Sequence, residues 1–258
     1  MDARESWNKG ATAYIQFIES GADYYRTLVH GPALLDACGD LSSKRVLDIG
    51  CGHGYFSREL ATQGAKVCGV DISDGLIQQA EKMESDGPLS IQYFRDDAKN
   101  IVDRFGAQSF DLVTGCMSVQ DMDDPQTIIA NAYQVLIDAG RFVFSVPHPC
   151  TDPPHRVWQK DILGRKLALS LDRYFETGPA VCDWSMPRLA YRWQTPFRRF
   201  TLTDWSRMTA NAGFAIRQVF EPYPSAKLLA SNPDLHDCSR MPYFIIFDLE
   251  KRGRAAAN

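Results

Sequence analysis

The stretch Val46-Leu47-Asp48-Ile49-Gly50-Cys51-Gly52-His53-Gly54-Tyr55-Phe56 constrains the fold more than any other part of the chain. An apolar run stops at three glycines spaced two apart, and an amphipathic pattern begins directly after them. That order reads as a buried strand, a tight turn and the first turn of a helix, the arrangement that binds nucleotide-like ligands. Glycine accepts backbone angles that a side chain forbids and lets a ligand approach the main chain. Asp48 stands just before the turn and bears on which ligand is chosen.

The same alternation continues downstream. Apolar runs predict strands over 44–49, 65–70, 90–94, 110–115 and 141–146. Between them, Phe56 and Leu60, then Leu76, Ile77, Ala80 and Met83, then Ile128, Ile129, Ala132, Val135 and Leu136 recur at helical spacing. Strands alternating with helices in this way predict a doubly wound, mostly parallel sheet. Pro147-His148-Pro149 ends the fifth strand. Thr201 and Asp204 stand at capping-box spacing and open a further helix, closed by Gly213. Two late strands, over 214–220 and 243–249, have no helix predicted between them and are expected to pair as an antiparallel hairpin at the sheet edge. The expected fold is therefore α/β with a seven-stranded sheet.

Two segments stand outside this pattern. In the first 40 residues, Trp7, Ala11, Tyr14, Phe17 and Ile18 mark an amphipathic helix that Gly21 interrupts. Tyr24-Tyr25-Arg26 begins a second piece, and Pro32 opens a short helix closed by Gly39. These elements are expected to fold over the mouth of the glycine turn, ahead of a main domain over 41–258. From about 150 to 197 the periodicity vanishes, while Trp158, Tyr174, Phe175, Trp184, Tyr191 and Trp193 accumulate. A loop this long is rare in a compact domain, so an inserted aromatic cap with short strands or helices is expected.

Composition excludes several classes. A net charge of -4 argues against a broad nucleic-acid surface, which needs clustered Lys and Arg. No apolar run reaches the ~18 residues of a membrane span, and the first residues lack a signal-peptide pattern. The seven cysteines are irregularly spaced without a CxxC, so neither a disulfide framework nor a zinc ribbon is suggested. The expected location is the cytoplasm.

The ligand class follows from details of the turn. A dinucleotide site wants G-x-G-x-x-G, but the third position falls on Tyr55. Asp48 is a poor neighbour for a pyrophosphate and a good one for a positive ligand. S-adenosylmethionine carries an ammonium and a sulfonium and no phosphate. Over roughly residues 40 to 150 the chain resembles the class I S-adenosylmethionine-dependent methyltransferases, through Asp48-Ile49-Gly50-Cys51-Gly52 as the family's D-x-G-x-G element. The resemblance implies a Rossmann-like fold, with Gly50, Cys51 and Gly52 along the methionine moiety. It also implies that Asp48 orders the ammonium, directly or through water. His53 stands where relatives often have Glu, Thr or Ser and is assigned no role.

Further elements carry the same resemblance. Asp71, about 20 residues past the turn, is placed to accept the ribose hydroxyls, with Ile72 beside the adenine. Asp96-Asp97-Ala98 matches the G-D-A element, with Asp97 rather than Asp96 receiving the adenine amino proton and Ala98 next to it. Cys116 and Met117 follow the fourth strand and would run beside the methionine chain. Ile137-Asp138-Ala139-Gly140 replaces the family's R-P-G-G at a turn outside the cofactor site.

The implied reaction is methyl transfer to an O, N or C atom of a small molecule. The alternatives are an enzyme acting on RNA or protein and a non-catalytic S-adenosylmethionine-binding module. The N/D-P-P-Y/F element of amino-methylating nucleic-acid enzymes is replaced by Gly115-Cys116-Met117-Ser118. His148 is the candidate base or substrate ligand, the alternative being a structural hydrogen bond. Tyr14, Tyr25 and Arg26 are candidates to close on the site, Arg26 on the methionine carboxylate, the alternative for Arg26 being an ordinary surface arginine. Tyr14, Tyr174, Trp184, Tyr191 and Trp193 are candidates for a substrate pocket, or for packing within the cap. Asp121, Asp123 and Asp124 are expected to cap the next helix, and His236-x-Cys238 is too sparse for zinc, so no metal is expected. The expected partners are a small molecule, no nucleic acid and no membrane, for a monomer or homodimer.

Overall fold

The computed structural model describes residues 1–184 and 192–252. Its N-terminal part holds α1 (Ala3–Glu19), a π-helical turn (Arg26–His30) and α2 (Gly31–Cys38). There follow β1 (Arg45–Ile49), α3 (Tyr55–Thr62), β2 (Lys66–Asp71), α4 (Asp74–Asp86) and β3 (Gln92–Arg95). Next come α5 (Ile101–Phe105), β4 (Phe110–Cys116), α6 (Pro125–Val135) and β5 (Leu136–Pro147). The cap region contributes β6 (His155–Lys160), β7 (Lys166–Asp172), β8 (Gly178–Asp183) and β9 (Gln194–Arg199). The chain then forms α7 (Leu202–Asn211), β10 (Phe214–Phe220), α8 (Ala226–Ser231) and β11 (Phe244–Lys251).

Seven strands form one sheet in the order β10-β11-β5-β4-β1-β2-β3. The pairs from β5 to β3 are parallel, while β11 pairs antiparallel with both β5 and β10. The two late strands thus pair as expected, but β11 lies inside the sheet and only β10 is an edge. Apolar side chains on alternate residues feed two opposite faces. Leu47, Val113, Phe142 and Phe144 pack with Ile128, Val135 and Trp205 on one side. Val46, Leu112 and Val143 pack with Leu34, Phe56 and Leu60 on the other. A sheet covered on both faces explains why these strands read as near-continuous apolar runs.

The parallel strands end together, so their following turns share one rim of the sheet. At β1 the chain reverses through Gly50, Gly52 and Gly54, with φ of 65, 57 and 88°. Gly54 is the N-cap of α3 in left-handed geometry, which a side chain would strain. The two bonds of the Thr201–Asp204 capping box are both made at the start of α7.

Departures from the sequence reading have local causes. The strand expected over 141–146 starts at Leu136, directly after α6, and the backbone kinks at Ala139 with φ of 60°. The linker between β10 and β11 holds α8 and a 3-10 turn (Pro233–Ser239), each too short for a periodic pattern to register. The cap folds as two separate antiparallel hairpins, β6–β7 and β8–β9. The β6–β7 hairpin exposes Val157 and Leu167, while β9 packs on α1 and on the 3-10 turn Val119–Asp121. No helix among the described residues is long and apolar enough to cross a membrane.

Candidate functional site

A cavity with about 780 Å³ of empty space opens at the shared rim of the parallel strands. Its floor is the glycine turn, at Gly50 and Gly52, together with Val70, Asp71 and Ile72 at the end of β2. Asp96, Asp97 and Ala98 after β3, with Leu76 and Lys99, form one wall. Cys116, Met117 and Ser118 after β4, then Asp121, Met122 and Asp123, form the opposite wall. Helix α1 lays Ala3, Trp7 and Tyr14 across the top. That helix is latched to α4: Arg4 and Asn8 donate to Asp74 at 3.0 and 3.1 Å, and Ser73 Oγ donates to Asn8 at 2.8 Å.

Asp71 is fixed by backbone donors. Gly52 N–H donates to one carboxylate oxygen and Ser73 N–H to the other, each at 2.8 Å. Burial pushes its carboxyl up, and these donors pull it back. Each oxygen keeps further acceptor capacity for a ligand hydroxyl. The neighbouring acids after β3 differ sharply. Asp96 already accepts from Asp97 N–H, Asn100 and Arg104. The Asp97 side chain accepts from Lys99 N–H at 2.9 Å as it caps a short 3-10 turn.

Asp48 is placed behind the wall rather than on it. Its side chain is fully buried and accepts from Ser57 Oγ at 2.7 Å and Thr114 Oγ1 at 3.0 Å. Burial pushes its carboxyl up to about 6, against the pull of the two hydroxyls. It ties β1, β4 and α3 together directly under the glycine turn. Cys51 is likewise buried, and its sulfur faces Gly69 of β2, 2.9 Å from where a Cβ would stand there. Met117 holds a positive φ of 53°, a strained conformation for a side-chain-bearing residue. Its N–H donates to Ser145 Oγ at 3.1 Å, which anchors the bend.

Arg26 lies behind Tyr14. Its guanidinium stacks 4.3 Å from the Tyr55 ring centroid, Nη1 donates to Tyr14 Oη at 3.5 Å, and Nε stands 3.1 Å from Asp23 Oδ2. Although buried, Arg26 has Nε and Nη2 without a hydrogen-bond acceptor of good geometry. His53, buried beside the Tyr14 ring, is lowered to about 4 by burial and then by the Arg26 charge.

Several sequence candidates stand elsewhere. Tyr25 points away from the cavity, its ring against Tyr24, Tyr243 and Phe244, because the apolar end of β11 takes it. His148 does not reach the cavity wall. Cys150 N–H donates to its Nδ1 at 3.1 Å, which places the proton on Nε2 for a 2.8 Å bond to Glu221. Burial lowers its pKa, against Glu221, and both ring nitrogens are already engaged. These bonds hold the turn after β5 to Glu221, just past the end of β10. Tyr174 accepts from Leu202 N–H at 3.0 Å and borders other, smaller clefts.

Trp184 and Trp193 stack at 5.4 Å and 5°. Neither lines the cavity, but Trp184 meets the edges of Trp7 and Tyr14, which do. Tyr191 lies outside the described residues. The residues that sequence reasoning missed are Ala3, Leu76, Lys99, Ser118, Met122 and, above all, Trp7 and Asp121. Trp7 was legible as a helical apolar position without a direction. Asp124 alone of the expected acids caps α6, accepting from Thr127 N–H at 3.2 Å, while Asp121 and Asp123 border the cavity. Among the described residues, no group of three or more His, Cys, Asp or Glu side chains is arranged to hold a metal ion.

The donor set fits an adenosyl ligand with positive charge. Carboxylates outnumber the single lysine, Lys99, on the wall, and a Cβ built on Gly52 would meet nothing within 4 Å. A pyrophosphate would meet acids where it needs donors.

Comparison with known proteins agrees with this geometry. A family model described as a methyltransferase domain matches residues 23–219. The chain is similar to an S-adenosylmethionine dependent methyltransferase from Mesorhizobium loti, at 28% identity and a TM-score of 0.72, over 85% of this chain and 96% of that one. It is similar to the ubiquinone biosynthesis O-methyltransferase of Pseudomonas syringae pv. tomato, 24% identical over 206 residues, 78% of this chain and 79% of that protein. The corresponding enzyme of Coxiella burnetii is 37% identical over 105 residues, 41% of this chain and 44% of that protein.

Proposed function

The chain belongs to the class I S-adenosylmethionine-dependent methyltransferases, and from that premise we propose that it methylates an O, N or C atom of a small molecule. The observation that carries this reading is the form of the cleft at the rim of the parallel strands. Strand-end acids line one wall and aromatic rings roof it, while Asp121, Met122 and Asp123 after β4 also border a cleft lined by Pro179, Pro196 and Phe197 of the cap. A small acceptor fits beneath such a roof, whereas a duplex or a folded protein needs an open basic or extended surface. The similarity to ubiquinone biosynthesis O-methyltransferases supports a small acceptor as well.

S-adenosylmethionine supplies a methyl group already activated on sulfur. The protein's part is alignment and charge. Asp71 accepts the ribose hydroxyls while Gly52 and Ser73 hold it still. Asp97 accepts from the adenine amino group, and Ile72, Leu76 and Ala98 offer apolar surface to the ring. Gly50 and Gly52 present bare backbone to the methionine portion, and Cys116 and Met117 flank it. Asp48 acts on that portion through the turn it supports. Arg26, ion-paired to Asp23 through Nε but with its buried Nη2 lacking an acceptor, is assigned to the carboxylate. Tyr14 and Trp7 close the top and exclude water.

The test is transfer from methyl-labelled S-adenosylmethionine in the presence of total RNA, total protein and a small-molecule extract, offered separately. Label in a dialysable product is expected. Label confined to RNA or protein would overturn the small-molecule reading.

A further inference from the structure

The cavity spans the rim from the residues after β3 to those after β4, and its far end has its own chemistry. In the sheet, β3 and β4 are separated by β1 and β2. Three strand spacings put about 14 Å between the wall bearing Asp97 and the wall bearing Asp121. With adenine beside Asp97 and ribose on Asp71, a bound cofactor would direct its methionine end toward β4, where Asp121 stands.

Two aromatic rings accompany that carboxylate. Trp7 and Tyr14 border the same cavity and meet edge to face at 5.5 Å. Burial, ahead of any nearby charge, keeps the Tyr14 phenol protonated, so it offers a neutral ring. Asp121 also borders a second, outer cleft of about 600 Å³. That cleft runs between Met1 and the β8–β9 hairpin, with Pro179, Val181, Pro196 and Phe197 as its apolar wall and Arg198 as its basic member. The two clefts share Asp121, Met122 and Asp123 as their common border.

A carboxylate bordering the same cavity as a tryptophan and a tyrosine is a recognition set for positive nitrogen. A phenolate or carboxylate acceptor would meet repulsion at the same place. We infer that the methyl acceptor is an amine, its nitrogen held by Asp121 against Trp7 and Tyr14 and its apolar body in the cleft beneath the β8–β9 hairpin. This deepens the methyltransferase reading and rests on it. In the step so described, the bound ammonium gives one proton to the Asp121 carboxylate. The freed lone pair forms the C–N bond as the C–S bond breaks, and that bond's electrons stay on sulfur. The product leaves as a methylated ammonium, and the Asp121 proton passes to water. Burial raises the Asp121 carboxyl well above the usual carboxylate range, with the Asp71 charge adding to it against a Gln120 hydrogen bond, which suits a group that must accept this proton.

The experiment pairs phenethylamine and tryptamine with neutral isosteres, 4-ethylphenol and 2-phenylethanol, on the full chain saturated with S-adenosylhomocysteine. Calorimetry on that complex should show the amines binding at least about tenfold more tightly, and in separate assays with methyl-labelled S-adenosylmethionine in place of S-adenosylhomocysteine the label should pass to the amines alone. Asp121→Asn and, separately, Trp7→Leu should each weaken amine binding about tenfold or more while S-adenosylhomocysteine affinity stays within about twofold. Preferential methylation of the phenol, failure of both amines to bind the loaded protein, or amine affinity unchanged in both variants would overturn the inference. Failure of S-adenosylhomocysteine itself to bind would instead overturn the methyltransferase reading, and the inference with it.

Discussion

The wall of the cleft built from β1, β2 and β3 and the roof built from α1 and the cap are held by different forces. On the wall, acids are locked by backbone N–H groups: Asp71 by Gly52 and Ser73, Asp97 by Lys99. Such charge-assisted bonds are short and directional, and each depends on one atom. The roof is held by ring packing, with Trp7, Tyr14, Phe17, Trp184 and Trp193 in one stack of contacts. Dispersion is spread over many atoms and tolerates small displacements. One cavity thus joins a wall that binds by point contacts to a roof that binds by shape. Damage to the first should appear in cofactor affinity, and damage to the second in helix docking and acceptor choice.

The largest effect is expected from Asp71→Ala. It removes the ribose acceptor and leaves Gly52 N–H and Ser73 N–H unpaired, a loss of about 3 kcal/mol or more, over a hundredfold in affinity. Titration with S-adenosylhomocysteine measures it, and unchanged affinity would erase the distinction between wall and roof. Arg26→Gln comes next. It should weaken S-adenosylhomocysteine about tenfold, yet leave decarboxylated S-adenosylmethionine unaffected, because only the carboxylate is lost as a partner. Equal weakening of both ligands would assign Arg26 to the roof.

The roof itself is tested at Gly10. A Cβ there would lie 2.2 Å from the Trp193 ring. Gly10→Ala should therefore lower thermal stability by about 1–3 kcal/mol, even though alanine is the better helix former by about 1 kcal/mol. Adding Trp193→Leu should restore part of the loss, and additive effects in that double mutant would break the packing account. The smallest effect is expected from His148→Gln, which should change turnover on the preferred amine by less than about threefold and cost about 1 kcal/mol of stability. A hundredfold fall in kcat with S-adenosylhomocysteine affinity intact would return His148 to the chemistry.

The same division explains what could be read from residues alone. Gly50, Gly52, Asp71 and Asp97 each stand within three residues of the end of an apolar run, so strand position and ligand contact coincide in the chain. The roof draws on α1, the turn after β4 and two cap strands, which approach only after folding. Helical spacing marked Trp7 and Tyr14 as one face without saying what that face meets. It did not separate Tyr14, over the cavity, from Tyr25, turned to β11. His148 looked poised because prolines hold it at a strand end, but its partner Glu221 is 73 residues away. The cap strands escaped the period-two rule because β6 and β7 bury little on either side. Asp121 was grouped with helix caps, since three acids within four residues do not reveal which one the 3-10 turn Val119–Asp121 sends inward.

The latch between α1 and α4 has a kinetic consequence. Arg4 and Asp74 are both well exposed, so their ion pair is a weak clasp and the ring stack bears most of the closure. A molecule in the outer cleft would brace that stack from the side of the β8–β9 hairpin. Departure should then be ordered: the methylated acceptor first, and only afterwards the spent nucleoside from beneath the loosened helix. Product-inhibition patterns read that order directly. A nucleoside product competitive with the methyl donor, and an acceptor product that is not, is the expected signature.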